Sequence, residues 1–178
     1  MGEVIDRAAL TAAVARLADQ LVLAMAEVPR WALIGVRSGG VPLADALASA
    51  VAGRTTSPPA RGDVDITLYR DDLYTGFERP VLGDTDLPFE VNGCGLVLVD
   101  DVIFTGRTIR AALGEVVDYG RPAFVRLCVL VDRGHRELPI APDFCAFQLS
   151  TAKSDRVVVD WRDGVVRVES GPATIPGS

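Results

Sequence analysis

Apolar positions fall into two kinds of run along this chain. From residue 6 to residue 28, Leu10, Val14, Leu17, Leu21 and Met25 recur at helical spacing. With Asp6 as N-cap and Pro29 as a stop, the spacing predicts a helix over 6–28. The runs then become short and continuous: WALIGV (31–36), LVLVD (96–100) and AFVRLCVLVD (123–132). Such runs suit strands covered on both faces. The first two each lead through a glycine-bearing turn into a helical pattern, VPLADALASAVA (41–52) and GRTIRAALGEVVDYG (106–120). Pro42 suits a first helical turn, and Gly120 ends the second pattern. Strand–helix–strand spacing implies right-handed crossovers, so the fold class is α/β with a mostly parallel sheet flanked by helices.

The remaining segments are less regular. Residues 53–62 read as a loop, and DVDITLYRDD (63–72) alternates as a strand does. Residues 73–90, rich in Gly, Pro and acids, lack periodicity; loops of that length are often lids. RVVVDWRDGVVRVES (156–170) reads as two strands around Asp163-Gly164. Residues 171–178 read as a frayed tail. With 178 residues, no repeat and no linker, the chain reads as a single domain.

Composition narrows the function. The net charge of −6 opposes a broad nucleic-acid surface but permits a small phosphorylated ligand. The three cysteines, Cys94, Cys128 and Cys145, form no CxxC pair, and His135 is the single histidine. A histidine-based metal cluster is thereby excluded. No apolar run reaches the roughly 18 residues of a membrane span, and no basic leader opens the chain, so a cytoplasmic address is expected.

The chemistry concentrates in VDDVIFTGRT (99–108). Asp100 and Asp101 stand at the end of a buried strand, where open parallel sheets bind ligands. Thr105, Gly106, Arg107 and Thr108 then open a helix, whose free N–H groups and positive end hold phosphate. Gly106 permits close backbone approach, and the threonines add hydroxyls. Carboxylates repel phosphate but suit ribose hydroxyls or a metal ion. Acids beside a phosphate cradle therefore indicate a sugar phosphate. Neither GxxxxGK[ST] nor GxGxxG is present, which argues against a nucleoside triphosphatase or a dinucleotide fold.

This string resembles the PRPP (5-phosphoribosyl-1-pyrophosphate) motif of type I phosphoribosyltransferases. DITLYRDDL (65–73), VDDVIFTGRTIRAAL (99–113) and LVDRGHRELPI (130–140), in that order, resemble the PyrR family. That family joins uracil phosphoribosyltransferase activity to RNA-binding control of pyrimidine operons. The resemblance implies a parallel core sheet with a small hood, here expected from the N-terminal and 133–155 segments. It implies Asp100 and Asp101 on the ribose, with Mg²⁺ carried by PRPP and touching these acids. Thr105 to Thr108 would bind the 5-phosphate, and Arg37, Ser38, Gly39 and Gly40 the pyrophosphate. Arg70 would act in catalysis, and Asp71 and Asp72 would belong to a lid. Phe144 and Cys145 would receive the base. Arg133, His135 and Arg136 would contact RNA or phosphate; the residues themselves equally allow the arginines to pair with Asp132 and Glu137, and His135 to serve structure. The partners implied are PRPP, uracil, RNA and a second copy of the chain, in a homodimer or larger homo-oligomer.

Four departures from the PyrR pattern modify this expectation. Gly39 replaces an arginine, Ala141 a basic residue, Ala146-Phe147-Gln148 a GKN string, and Asp19 a histidine of the first helix. The first predicts weaker pyrophosphate binding. The next two leave open a phosphoribosyltransferase for another base. Asp19, which would repel RNA phosphates, predicts that RNA binding is weakened or lost. The alternative is an attenuator that responds to UMP or PRPP and binds RNA.

Overall fold

A computed structural model describes residues 2–37, 39–66 and 84–171. The elements in chain order are β1 (Gly2–Ile5), α1 (Arg7–Ala24), β2 (Trp31–Val36), α2 (Gly40–Ala52), β3 (Ala60–Val64), β4 (Gly95–Ile103), α3 (Arg107–Asp118), β5 (Phe124–Asp132), β6 (Phe144–Gln148), β7 (Arg156–Asp160) and β8 (Val165–Glu169).

Five strands form a parallel sheet in the order β3-β2-β4-β5-β6. Successive strand residues point to opposite faces, so each continuous apolar run feeds two cores. Leu33, Val97, Val99, Cys128 and Leu130 pack with α1 and α2. Ala32, Ile34, Leu96, Leu98 and Val129 pack with α3. Residues 31–36 are all buried, as a central parallel strand requires. Burial of each such Val, Leu or Ile stabilises the fold by about 1.5–3 kcal/mol.

Asp6 caps α1 as expected, its Oδ1 accepting the Ala9 N–H at 2.8 Å. The helix stops at Ala24, four residues short of the expected end. There Ala26 N–H donates to Leu23 O and Val28 N–H to Met25 O. These tighter i→i+3 turns end the helix and swing the chain toward β2 before Pro29.

Two strands differ from expectation. Residues 67–72 of the strand expected from 63 lie outside the described residues; the strand begins earlier, within the expected 53–62 loop, and spans Ala60–Val64 in register with Ala32–Val36. It is a sheet edge and only partly buried, so its sequence ARGDV is polar; Arg61 pairs with Asp45 at 2.9 Å. β4 continues three residues past Asp100, still in register with β5 up to Ile103↔Asp132. Both acids thus belong to the strand, and the loop begins at Phe104.

The smaller sheet is antiparallel, in the order β1-β8-β7. The hood therefore comes from the N-terminal strand and the 156–169 hairpin, which turns at Asp163-Gly164 as read from sequence. The expectation that 133–155 would supply it is corrected: β6, within that segment, is the edge of the main sheet beside β5. No described helix is long and apolar enough to cross a membrane.

Candidate active site

Strand order places β3 on one side of β2 and β4 on the other. This is the switch point at which loops leave the strand ends in opposite directions and open a crevice. A cavity of about 560 Å³ lies there. Arg37 and Gly39 line it from the loop after β2, and Asp65 and Ile66 from the end of β3. Asp100, Asp101 and Val102 line it from β4, Thr108 from α3, and Val159 and Trp161 from the hood hairpin.

The acids are its most perturbed groups. Asp100 is 5% exposed, and its Oδ1 accepts the Asp101 N–H at 2.9 Å. Asp101 Oδ1 accepts the Val102 N–H at 2.8 Å. Burial pushes the Asp100 carboxyl well above the usual carboxylate range, and the adjacent Asp101 charge adds to this. Burial also raises Asp101, opposed by its backbone hydrogen bonds. Among the described residues no ion pair reaches either carboxylate. Such a pair favours hydroxyl donors or a cation brought by a ligand.

The loop from β4 to α3 carries the residues read from sequence as a phosphate cradle. Gly106 has φ +91°, a conformation that favours glycine, and it stands directly before the first turn of α3. Arg107 N–H donates to Thr105 Oγ1 at 3.3 Å, and Arg107 Nε to Glu137 Oε2 at 3.0 Å. Thr108 reaches the cavity; Thr105, Gly106 and Arg107 form the turn behind it.

Gly39 acquires a reason the sequence did not supply. Its φ of −104° suits any residue. A Cβ there, however, would stand 2.2 Å from Asp101 Oδ2. The turn lies directly on the Asp101 carboxylate, so a side chain at 39 would displace the acid. Gly40 starts α2 against the Val99 carbonyl, where a Cβ would approach to 2.1 Å. Arg37 also faces Asp84, with Nη1 3.9 Å from Oδ2. Ser38, Arg70, Asp71 and Asp72 lie outside the described residues.

Two assignments fall outside the residues that line this cavity. Phe144 does not reach the cavity: it is 9% exposed and packs in the α1 core, paired with Cys128. Cys145 faces the α3-side core, burial pushes its thiol up, and its Sγ meets Phe147 O at 3.2 Å. The PDFCAF segment is a strand of the main sheet. The apolar wall comes instead from Val102, Val159 and Trp161, which belong to one cluster. Nor are the 133–136 arginines open to an outside phosphate. Arg133 is 6% exposed, its guanidinium 4.1 Å from the Phe104 ring centroid. Arg136 donates to Ile140 O (2.9 Å), Phe104 O (2.7 Å) and Asp132 Oδ2 (2.5 Å). His135 is exposed, with φ +60° and Nε2 2.7 Å from Thr151 O.

Sequence reading missed Asp65, Ile66, Val102, Val159 and Trp161. The strand-end rule would have found Asp65 and Ile66 had β3 been bounded correctly. Nothing local marks Val159 or Trp161, because hood docking brings them in.

Acids on a strand end, a left-handed glycine before a helix and a cavity at the switch point define a phosphoribosyltransferase, and the sequence profile described as "Phosphoribosyl transferase domain" matches residues 2–162. The fold is that of solved phosphoribosyltransferases. The hypoxanthine phosphoribosyltransferase of Trypanosoma cruzi superposes with a TM-score of 0.75 at 16% identity, over 97% of this chain and 98% of that one. A hypoxanthine-guanine phosphoribosyltransferase of Bacillus anthracis gives 0.68 at 20% identity, over 84% of each chain. Closer in sequence are proteins named "Bifunctional protein PyrR". That of Picosynechococcus sp. is 46% identical over 92% of this chain and 94% of its own length. That of Chloroflexus aurantiacus is 52% identical over 76% of each. The chain belongs to the PyrR family of phosphoribosyltransferases.

Proposed function

We propose that this cavity transfers the phosphoribosyl group of PRPP to uracil, giving UMP and pyrophosphate. One observation carries the reading: Thr108 of the phosphate turn, the buried Asp100, the half-buried Asp101 and an apolar wall line one cavity of nucleotide size. The 5-phosphate sits on the Thr105–Thr108 turn, where backbone N–H groups and the α3 dipole stabilise it. Asp100 and Asp101 accept the ribose hydroxyls. The pyrophosphate faces Arg37, Gly39 and Gly40; Arg70, Asp71 and Asp72, which the family resemblance assigns to catalysis and a lid, lie outside the described residues. The base rests on Val102, Val159 and Trp161. Uracil N1 bonds to C1 of the ribose as the C1–O bond to pyrophosphate breaks, and the N1 proton is released. The transition state is oxocarbenium-like, as in glycoside chemistry. The protein contributes position and exclusion of water.

The donor set fits Mg²⁺. Asp100 and Asp101 supply hard oxygen ligands side by side at the end of β4. That suits an ion held by one or two carboxylates and by substrate oxygens. When bound, Mg²⁺ neutralises charge on the departing pyrophosphate. Assembly as a homodimer or larger homo-oligomer belongs to the same reading.

Pyrophosphate release from PRPP, followed across a panel of bases, tests the proposal. Uracil should give the highest kcat/KM. Preference for a purine, or no product with uracil, refutes the uracil assignment and leaves a phosphoribosyltransferase for another base.

RNA-binding attenuation is the second reading, motivated by the name of the relatives. The α1 surface offers it little support. Asp19 Oδ1 is held by Arg54 Nε at 2.7 Å, and Arg16 leans over the Phe147 ring at 5.8 Å. Filter binding of a pyrimidine-leader hairpin should show weak affinity; tight binding with a steep salt dependence would reinstate this reading.

A further inference from the structure

Segment 133–137 stands behind the phosphate loop and touches two parts of the molecule at once. Toward the loop, Arg133 N–H donates to Ile103 O at 3.2 Å, and its guanidinium covers the Phe104 ring at 4.1 Å. On the opposite side runs the strap of residues 149–155, which leads from β6 into β7. There Arg133 Nη2 donates to Ala152 O at 2.8 Å, and Thr151 Oγ1 donates to Arg133 O at 3.3 Å. An outer link runs in parallel along the surface: Arg107 Nε to Glu137 at 3.0 Å, and Glu137 to Lys153 Nζ at 3.3 Å. The strap fixes where β7 starts, and so where Val159 and Trp161 stand against the cavity.

The two links are not equal. Exposed ion pairs such as Arg107–Glu137–Lys153 contribute little. The inner link uses an arginine that is 6% exposed and whose Nε has no partner. Burying a charge so sparsely paired is costly, and an apolar side chain would fill the space at lower cost. What an arginine adds is a rigid plane that stacks on a ring while its edge holds a carbonyl.

We infer that Arg133 is a positioning residue: stacked on Phe104 and bonded to the Ala152 carbonyl, it holds the base-side wall of the cavity in register with the phosphate loop. In its kinetic arm this rests on the nucleotide-site reading above. Its structural arm does not.

The variants Arg133→Met, Phe104→Leu and Phe104→Tyr test it, with folding checked by thermal melting. At saturating PRPP, KM for uracil should rise about tenfold in Arg133→Met and in Phe104→Leu, the scale of a modest misplacement. KM for PRPP should stay within about twofold, and Phe104→Tyr, which keeps the ring face, should behave as wild type. The double variant Arg133→Met/Phe104→Leu should be no worse than either single one, since both break the same link. In the unliganded protein, amide exchange at Val157–Trp161 should quicken about tenfold in both disruptive variants while β2 is unchanged. If wild type fails to use uracil, the exchange data alone decide. If Arg133→Met does not fold, Phe104→Leu carries the same comparison. Loss of kcat with both KM values unchanged, additive effects in the double variant, or unaltered exchange in β7 would each overturn the inference.

Discussion

The two halves of the cavity are built in opposite ways. The half proposed for phosphate and ribose is nearly continuous in sequence: Asp100, Asp101, Gly106 and Thr108 come from one strand, its loop and the next helix. It is held by the main sheet, with Leu96, Val97, Leu98 and Val99 fully buried beneath it. The base half is assembled across the chain, from Ile66, Val102, Val159 and Trp161, and its hairpin belongs to the separate three-stranded sheet. On the proposed reading, the difference teaches that the chemistry shared by phosphoribosyltransferases sits on the main sheet, while contact with the base is completed by residues of the separate three-stranded sheet. Substitutions can then alter the second half without disturbing the first.

Several variants would break or sharpen that contrast. The largest effect is expected from Asp100→Asn with Asp101→Asn, which removes the ribose contacts. Turnover should fall on the order of 10²-fold or more for every base tested. Turnover within a few-fold of wild type would mean that the main-sheet half does not do the shared chemistry. Gly39→Ala comes next. Its Cβ would press on the Asp101 carboxylate, so kcat/KM should fall about tenfold with melting unchanged. An unaffected Gly39→Ala enzyme would show that the turn yields freely.

A smaller effect concerns stability. Burial raises the Asp100 pKa above its unfolded value, so the folded state binds this proton more tightly. Its contribution to stability is fully present below the unfolded pKa of about 3.9 and is lost as pH rises through the raised folded value. Asp100→Asn cannot ionise. Its Tm should therefore exceed that of wild type at pH 8. The gain should shrink toward pH 4, and a pH-independent difference would contradict this account. Smallest is Asp6→Ala, which removes the α1 cap and costs about 1 kcal/mol in denaturant melts. It should leave both KM values unchanged, because α1 contributes no residue to the cavity lining.

The same contrast explains what was legible from sequence. Periodicity and caps gave the parallel sheet, α2, α3 and the Asp6 cap, because central strands read as unbroken apolar runs. VDDVIFTGRT announced the phosphate half because its parts are adjacent. Edge strand β3 was misplaced because one side of it is open, and its polar residues pair locally, as Arg61 does with Asp45. The base wall was assigned to Phe144 and Cys145 because local resemblance cannot show which face of β6 meets the core. Trp161 could not be found from sequence alone: its place depends on how the hood hairpin docks. Arg133 and Arg136 read equally as phosphate binders or as partners of Asp132 and Glu137; Arg136 pairs with Asp132, and the stacking of Arg133 on Phe104 is a tertiary fact.

The central claim is that both halves hold one nucleotide, and calorimetric titration of Trp161→Ala tests it most directly. UMP spans both halves, whereas ribose 5-phosphate occupies only the main-sheet one. The variant should bind UMP about tenfold more weakly, the scale of one lost apolar contact surface. Its affinity for ribose 5-phosphate should match wild type. Equal weakening of both ligands, or of neither, would contradict the account.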